Sequence, residues 1–311
     1  MKDGRTEELG KSEQFKNLPQ GFGIEWTSRR AFQIDGYRFN LPTSWGHFDI
    51  NVPAEKNYAD NVFFFGKSIS IMQNYFALFR EYTPKNVVEL GIFRGGSVAF
   101  LQLVAKPERL LALDISPDRQ EFLDRFILHE GLAENVRAEY GVDQADSEKV
   151  SSLTREFMGE GRCLDFVVDD ASHLLSPTRS SFETLFPLLR PGRSYVIEDL
   201  SAAQNIVSAA LDAKQEMTES RRQLANTMLD FSLQADNKPL HLMAVEAMLA
   251  SFVAPGIVHK VIVDRDWLRI VRGREDIDPA KPFDLRAVAD DHFGLLDSTP
   301  NKELQRYLSA R

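Results

Sequence analysis

The feature that most narrows the fold of this chain is a regular alternation of two hydrophobic periods between Asn86 and Ile197. Strand-like apolar runs at Asn86–Leu90, Arg109–Asp114, Arg137–Tyr140, Asp165–Asp169 and Ser194–Ile197 are separated by helix-like stretches at Ser97–Val104, Pro117–His129, Ser147–Met158 and Thr178–Leu189. Parallel strands need a crossover of a dozen or so residues, which a helix supplies. Such crossovers are right-handed. After Asp199 the pattern turns helical from about 202 to 252, longer than one crossover needs. Val258–Val263 and Trp267–Val271, separated by Asp264-Arg265-Asp266, then read as an antiparallel hairpin. The expected fold is α/β: a Rossmann-like, seven-stranded sheet, mostly parallel with a terminal antiparallel hairpin, carrying an N-terminal extension and a helical lid insertion.

The flanks are less regular. Residues 1 to about 20 are polar, mixed in charge and without apolar periodicity, which suits a loosely ordered leader. Alternation from Ala31 to Phe39 around Asp35-Gly36 predicts a hairpin, because Asp-Gly accepts the positive φ angles of a type I′ turn. Trp45 to Val52 is aromatic and turn-like. Between Asn61 and Tyr82 the spacing of Phe64, Ile69, Met72, Tyr75, Phe76 and Phe79 predicts one or two helices. Residues 1–60 are therefore read as an extension with a hairpin and a lid role over a substrate, 61–275 as the core domain and 276–311 as a tail. Residues 202–255 form the insertion, a lid or a subunit contact in an expected homo-oligomer.

Composition excludes several classes of function. Apolar residues at 43% and charged residues at 27% are ordinary globular usage. No apolar run approaches the roughly 20 residues that cross a bilayer, so no membrane partner is expected. A net charge of −9 without a Lys/Arg stripe disfavours nucleic acid and leaves a small molecule as the expected partner. The charged N-terminus lacks the apolar core of a secretory signal, so a cytoplasmic location is expected. The single cysteine, Cys163, heads an apolar run and is expected to be a small buried side chain.

Two groups of residues carry chemistry. The strand Val87-Val88-Glu89-Leu90 runs into Gly91-Ile92-Phe93-Arg94-Gly95-Gly96-Ser97 and a helix, so glycines fall at the carboxyl end of the first strand, where open α/β sheets bind ligands. Glycine lets backbone approach a ligand closely, and Glu89 can meet a cationic amino group. The second strand ends in Asp114, which can accept hydrogen bonds from both ribose hydroxyls, or else cap the helix from Pro117. Asp143 and Gln144 follow the third strand, where a carboxylate or amide can meet an adenine amino group. The other group is acidic: Asp170 lies just beyond the fourth strand, Glu198 and Asp199 just beyond the fifth. Three anions on one rim repel unless protonated or bound to a cation, and oxygen ligands favour a hard ion: Mg²⁺ first, with Mn²⁺ or Ca²⁺ possible.

Val88-Glu89-Leu90-Gly91 with Gly95-Gly96-Ser97, Val168-Asp169-Asp170-Ala171-Ser172-His173 and Val196-Ile197-Glu198-Asp199 resemble the macrocin-, mycinamicin- and rhamnosyl-type O-methyltransferases, over about residues 85–200. The resemblance implies a class I domain that binds S-adenosylmethionine (SAM) and methylates a hydroxyl of a small molecule, a natural product or sugar-containing metabolite. It implies Glu89, Gly91, Gly95, Ser97, Asp114, Asp143, Gln144 and Asp169 as cofactor residues. Metal ligands map onto Asp170, Glu198 and Asp199, and the catalytic base onto His173, acting beside Asp170. Asp169 either orients His173, contacts SAM or only satisfies backbone donors. The pattern departs from the family at Ala171, where glycine is usual, and after Asp199, where Leu200-Ser201-Ala202-Ala203-Gln204 lacks the aromatic residues of sugar-modifying members. The latter puts the sugar in question more than the metal.

Two other functions compete. A non-haem iron hydroxylase requires two histidines and a carboxylate; only His173 falls among the site residues, and His129, His241, His259 and His292 read as structural or surface groups, with His47 the partial exception. A SAM-binding protein without catalysis is the other, against which the joint presence of Asp170, His173, Glu198 and Asp199 argues.

Overall fold

The computed structural model describes residues 15–42, 61–159, 163–201, 239–279 and 281–290, with isolated positions at 161, 219 and 296. The aromatic segment Trp45–Val52, including His47, and most of the 202–255 insertion lie outside these residues, as does His292. By contacts the chain divides into two units: one draws on residues up to Lys85 with Ile92–Leu110 and Asp118–Arg137, the other on Asn86–Gly91, Leu111–Pro117 and the remainder from Ala138.

The first unit carries a four-stranded sheet, β1 (Glu25–Ser28), β2 (Ala31–Ile34), β3 (Tyr37–Asn40) and β4 (Val62–Phe64), paired in that order. The β2–β3 turn has Asp35 at φ 48° and Gly36 at φ 85°, the two positive values that a type I′ turn requires. β4 corrects the helix expected from Asn61: Val62-Phe63-Phe64 pairs in parallel with Arg38-Phe39-Asn40, because a β-branched and aromatic run gains more from an open strand edge than from a helix. The helix begins later, as α1 (Ile69–Glu81), where the Ser68 hydroxyl accepts the Ile71 N–H. It buries Ile71, Met72, Tyr75, Phe76, Leu78 and Phe79. Helices α2 (Gly96–Ala105) and α3 (Glu121–His129) complete the unit. α3 starts four residues after Pro117, so Asp114 does not cap it; Gln120 is the residue at that end. Phe100 of α2 is packed by aromatic rings, Phe65 at 4.5 Å, Tyr75 at 6.0 Å and Phe32 at 6.1 Å between centroids.

The second unit is organised by a seven-stranded sheet. Its strands are β5 (Asn86–Leu90), β6 (Arg109–Asp114), β7 (Val136–Tyr140), β8 (Leu164–Asp169), β9 (Leu189–Glu198), β10 (Val258–Asp264) and β11 (Trp267–Arg272), in the spatial order β10-β11-β9-β8-β5-β6-β7. β5 and β9 flank β8 in parallel, and β11 runs antiparallel to both β9 and β10. β5 and β8 are buried at every position, which explains their unbroken apolar reading. Helices α4 (Ser147–Met158), α5 (Leu175–Leu185), α6 (Leu242–Val253) and α7 (Leu285–Ala289) belong to this unit. α5 closes in a 3₁₀ turn at Phe186–Leu188 because Pro187 cannot extend an α-helix, and β9 begins at Leu189, earlier than Ser194. α6 is held by the buried Glu246, whose carboxylate lies 2.7 Å from Arg179 of α5. Cys163 is exposed rather than buried: β8 starts one residue later, and the Cys163 carbonyl accepts from the Asn86 carboxamide.

Candidate active site

The site is built by strand ends. The Asp170 N–H donates to the Leu90 carbonyl at 2.9 Å, Gly91 N–H to Leu113 at 2.8 Å and Val142 N–H to Asp114 at 2.8 Å. These bonds carry the sheet's lateral order past the strands and set Asp170, Gly91, Asp114 and Val142 along one rim of the second unit. β5 lies between β8 and β6, so chain direction across the sheet reverses between β5 and β8. That switch point is where open α/β sheets bind ligands. Glycine at 91 is demanded by the packing: its φ is +94°, and a Cβ there would sit 2.2 Å from the Asp170 carbonyl oxygen.

One carboxylate oxygen each from Asp170 and Asp199 and a ring nitrogen of His173 all lie within 4.8 Å of one another, and each residue is half-buried. The His173 Nε2 is 4.0 Å from Asp199 Oδ2. Two of the three residues have left-handed backbone, His173 at φ 56° and Asp199 at φ 50°. Non-glycine residues hold such angles only where surrounding structure imposes them, and they concentrate at functional sites. For Asp199 part of the brace is visible: its N–H donates to the Asp266 carbonyl at 3.0 Å, and the Ser201 hydroxyl donates to the Asp266 carboxylate at 2.6 Å. The β10–β11 turn thus holds the end of β9. Ala171 is absent from the positive-φ residues, which explains why glycine is dispensable there.

Glu198, expected as a metal ligand, is 1% exposed at the end of β9 and stands outside this group, which takes in His173 instead. Glu198 is the last residue of β9, whereas Asp199 has left the strand with left-handed backbone, its N–H held by the β10–β11 turn.

Asp169 and Gln144, expected to touch the cofactor, are occupied with each other. Gln144 Nε2 donates to Asp169 Oδ2 at 3.0 Å, and the same oxygen accepts from the Ser181 hydroxyl at 2.8 Å and the Tyr195 hydroxyl at 3.0 Å. Burial pushes Asp169 up to about 6, winning over the donors from Ser181, Tyr195 and the Ala171 N–H and over the His173 charge, which all pull it down. Burial, followed by the Asp169 charge, also raises Tyr195 well above its ordinary value. Ser181 and Tyr195 carry no sequence signal, because a hydroxyl on α5 and another on β9 meet only through the tertiary fold.

The other expected cofactor residues are divided between the two units. Glu89 is fully buried in β5, in register with Val168. Asp114 is half-buried, and its carboxylate accepts the Ser116 N–H at 2.8 Å. Asp143 is exposed and accepts the Ala145 N–H. Gly95, at φ 77°, and Ser97 begin α2 in the first unit. Of the remaining described histidines, His129 lies 3.1 Å from the Tyr37 hydroxyl and 3.0 Å from Glu130 in the first unit, His241 is exposed at the N-terminus of α6, and His259 is exposed on β10. Among the described residues, no second histidine joins His173 in the ligand group.

A parallel sheet closed by antiparallel strands, with a glycine turn and an acidic rim at its switch point, defines a Rossmann-like fold of methyltransferase type. In sequence, residues 88–200 match the family described as a methyltransferase domain. The chain is similar to the mycinamicin VI 2''-O-methyltransferase of Micromonospora griseorubida, 30% identical over 134 residues, which are 40% of this chain and 30% of that protein. It is also similar to the rhamnosyl O-methyltransferase of Mycobacterium tuberculosis strain H37Rv, 28% identical over 145 residues, 43% of this chain and 53% of that one. The chain spans between about a third and a half of the length of these curated relatives. Among solved structures, the MycE methyltransferase of the mycinamycin biosynthetic pathway, in complex with Mg and SAH, aligns with a TM-score of 0.47 at 23% identity, covering 68% of this chain and 51% of MycE.

Proposed function

We propose that this chain is a SAM-dependent O-methyltransferase that acts on a hydroxyl of a small molecule, a natural product or sugar-containing metabolite, assisted by a divalent cation. The observation that carries the reading is the convergence of Asp170, His173 and Asp199 donors within 4.8 Å, on the rim that also bears Gly91 and Asp114. Relatives named as O-methyltransferases of a macrolide and of a rhamnosyl group agree with it.

The residues present fit both groups. Asp114 ends the strand beside Gly91, where a carboxylate can accept from ribose hydroxyls, and SAM supplies the methyl group as a sulfonium electrophile. Asp170 and Asp199 offer the carboxylate oxygens that a hard ion prefers, and a bound Mg²⁺, or Mn²⁺ or Ca²⁺ in its place, supplies positive charge that favours the deprotonated hydroxyl. His173 would accept the hydroxyl proton at Nε2 as the oxygen bonds to the methyl carbon, with the S–CH₃ bond breaking and its electron pair leaving on the sulfur as a neutral thioether; positioning both reactants supplies much of the remaining acceleration. One observation favours a second arrangement. The His173 nitrogen lies among the ligand atoms, which suits a third ligand instead of a base.

The test is methyl transfer from isotopically labelled SAM to a panel of hydroxylated macrolides and rhamnosides, with the protein as purified, after EDTA, and after Mg²⁺ add-back. Transfer lost with EDTA and restored by Mg²⁺, while SAM binding persists throughout, is the expected result. Undiminished transfer in the chelated protein removes the cation from the mechanism. A His173→Ala protein that still binds Mn²⁺ at wild-type affinity makes His173 the base rather than a ligand.

A further inference from the structure

We propose that Gln144 is a positioning residue that sets the turn carrying Asp170 and His173, and that it does so by bridging the buried Asp169 carboxylate to the Ser172 amide; this rests on the metal-and-base reading of that turn. The carboxamide is engaged at both ends. Its Nε2 donates to Asp169 at 3.0 Å and to the Ser181 hydroxyl at 3.2 Å, while its Oε1 accepts the Ser172 N–H at 2.9 Å. The orientation of the amide is fixed by its partners, since a backbone N–H can only donate and an ionised carboxylate can only accept.

Two N–H groups of the turn are anchored: Asp170 to the Leu90 carbonyl and Ser172 to Gln144. The next residue is His173, held at φ 56°. Left-handed backbone in a non-glycine residue persists only when its neighbours over-determine it, and of the two anchors Gln144 is the one that comes from another strand's loop, the one after β7. It is 6% exposed, so water does not readily replace its bonds. Losing it frees the Ser172 N–H inside the protein and lets His173 relax away from Asp170 and Asp199.

The experiment compares wild-type protein with Gln144→Met, which keeps length and bulk but has no hydrogen-bonding amide. Amide exchange at Ser172 is read by NMR, and Mn²⁺ and SAM affinities by calorimetry. Ser172 is expected to exchange at least about tenfold faster, and Mn²⁺ to bind about 10–100-fold more weakly, the range for residues that orient ligands without being ligands. SAM affinity is expected to change little, because the bridge holds the turn bearing Asp170 and His173 rather than the strand ends at Gly91 and Asp114. If Gln144→Met does not fold, Gln144→Asn, one methylene shorter and able to reach only one partner, is measured instead. Wild-type Ser172 exchange in a folded variant overturns the proposal, and a loss of SAM affinity with unchanged exchange overturns it in favour of a direct cofactor contact. If the wild-type protein binds no Mn²⁺, the metal reading falls while the exchange comparison still decides the role of Gln144.

Discussion

His173 combines three properties at one position: a half-buried imidazole, left-handed backbone at φ 56° and a carboxylate 4.0 Å away. A packing histidine has no reason to hold all three. His173→Ala is expected to lower kcat by about 10²–10⁴, the range for loss of a general base, with SAM affinity unchanged. Single-turnover methylation and calorimetry on one preparation measure both quantities. A fall in melting temperature and SAM affinity that accounts for the whole rate loss assigns the residue to packing. The sequence placed His173 three residues after Asp170 and Asp199 after the next strand, and the fold brings ligand atoms of all three within 4.8 Å of one another. Both Glu198 and Asp199 were expected as ligands; Glu198 lies buried outside the group that Asp199 joins, after a turn braced by Asp266.

Elements were legible where one hydrophobic period ran unopposed. β5, β6 and β8 appear within a residue of their expected bounds. The helix expected from Asn61 failed because Val62-Phe63-Phe64 suits a helix or a strand, and the edge of β3 decided for the strand. Two predictions belong at this scale. Gly91→Ala puts a Cβ 2.2 Å from the Asp170 carbonyl at φ +94°, a clash with backbone that cannot rotate away. A loss of about 2–5 kcal/mol is expected, combining overpacking with left-handed strain; urea unfolding measures it, and a loss below about 1 kcal/mol refutes the packing of β5 against the β8 turn.

The second prediction concerns the β2–β3 hairpin, which is tied to the end of α3 by the Tyr37 hydroxyl donating to Glu130 at 2.7 Å. Burial, then that bond and the Glu130 charge, pushes Tyr37 up to about 12. Glu130 is held below 4.5, first by the bond from Tyr37 and then by His129. A carboxyl lowered in the folded state stabilises it fully above its unfolded value, and that contribution disappears as pH falls through the lowered one. Tyr37→Phe removes the largest cause. The variant should therefore be less stable than wild type at pH 7, and the gap should narrow as pH falls below 4.5. Thermal melts across that range test it, and a gap independent of pH would leave the hydroxyl without influence on Glu130.

At the scale of the molecule, a ligand that binds only the folded protein stabilises it by mass action. SAM at about a hundred times its dissociation constant should add about 2.7 kcal/mol, seen as a higher melting temperature. Asp114→Ala should lose most of that gain at the same SAM concentration, because a carboxylate accepting from two hydroxyls is worth about 1.5–3 kcal/mol for each charged bond. Equal shifts in the two proteins would remove Asp114 from the cofactor site.

The sequence by itself determined the α/β class, the closing antiparallel strands, the type I′ turn at Asp35-Gly36 and the sheet rim on which Gly91, Asp114, Asp170 and Asp199 fall. All of these follow from local periodicity, from turn chemistry or from the rule that strand ends in a parallel sheet point one way. Only the tertiary structure decided which groups on that rim meet. Gln144 from one loop, Ser181 from a helix and Tyr195 from another strand converge on Asp169. His173 joins the two aspartates through a backbone angle that its residue type does not announce. Contacts between residues far apart in the chain depend on lateral strand order and on the course of turns, and neither leaves a periodic trace in the sequence.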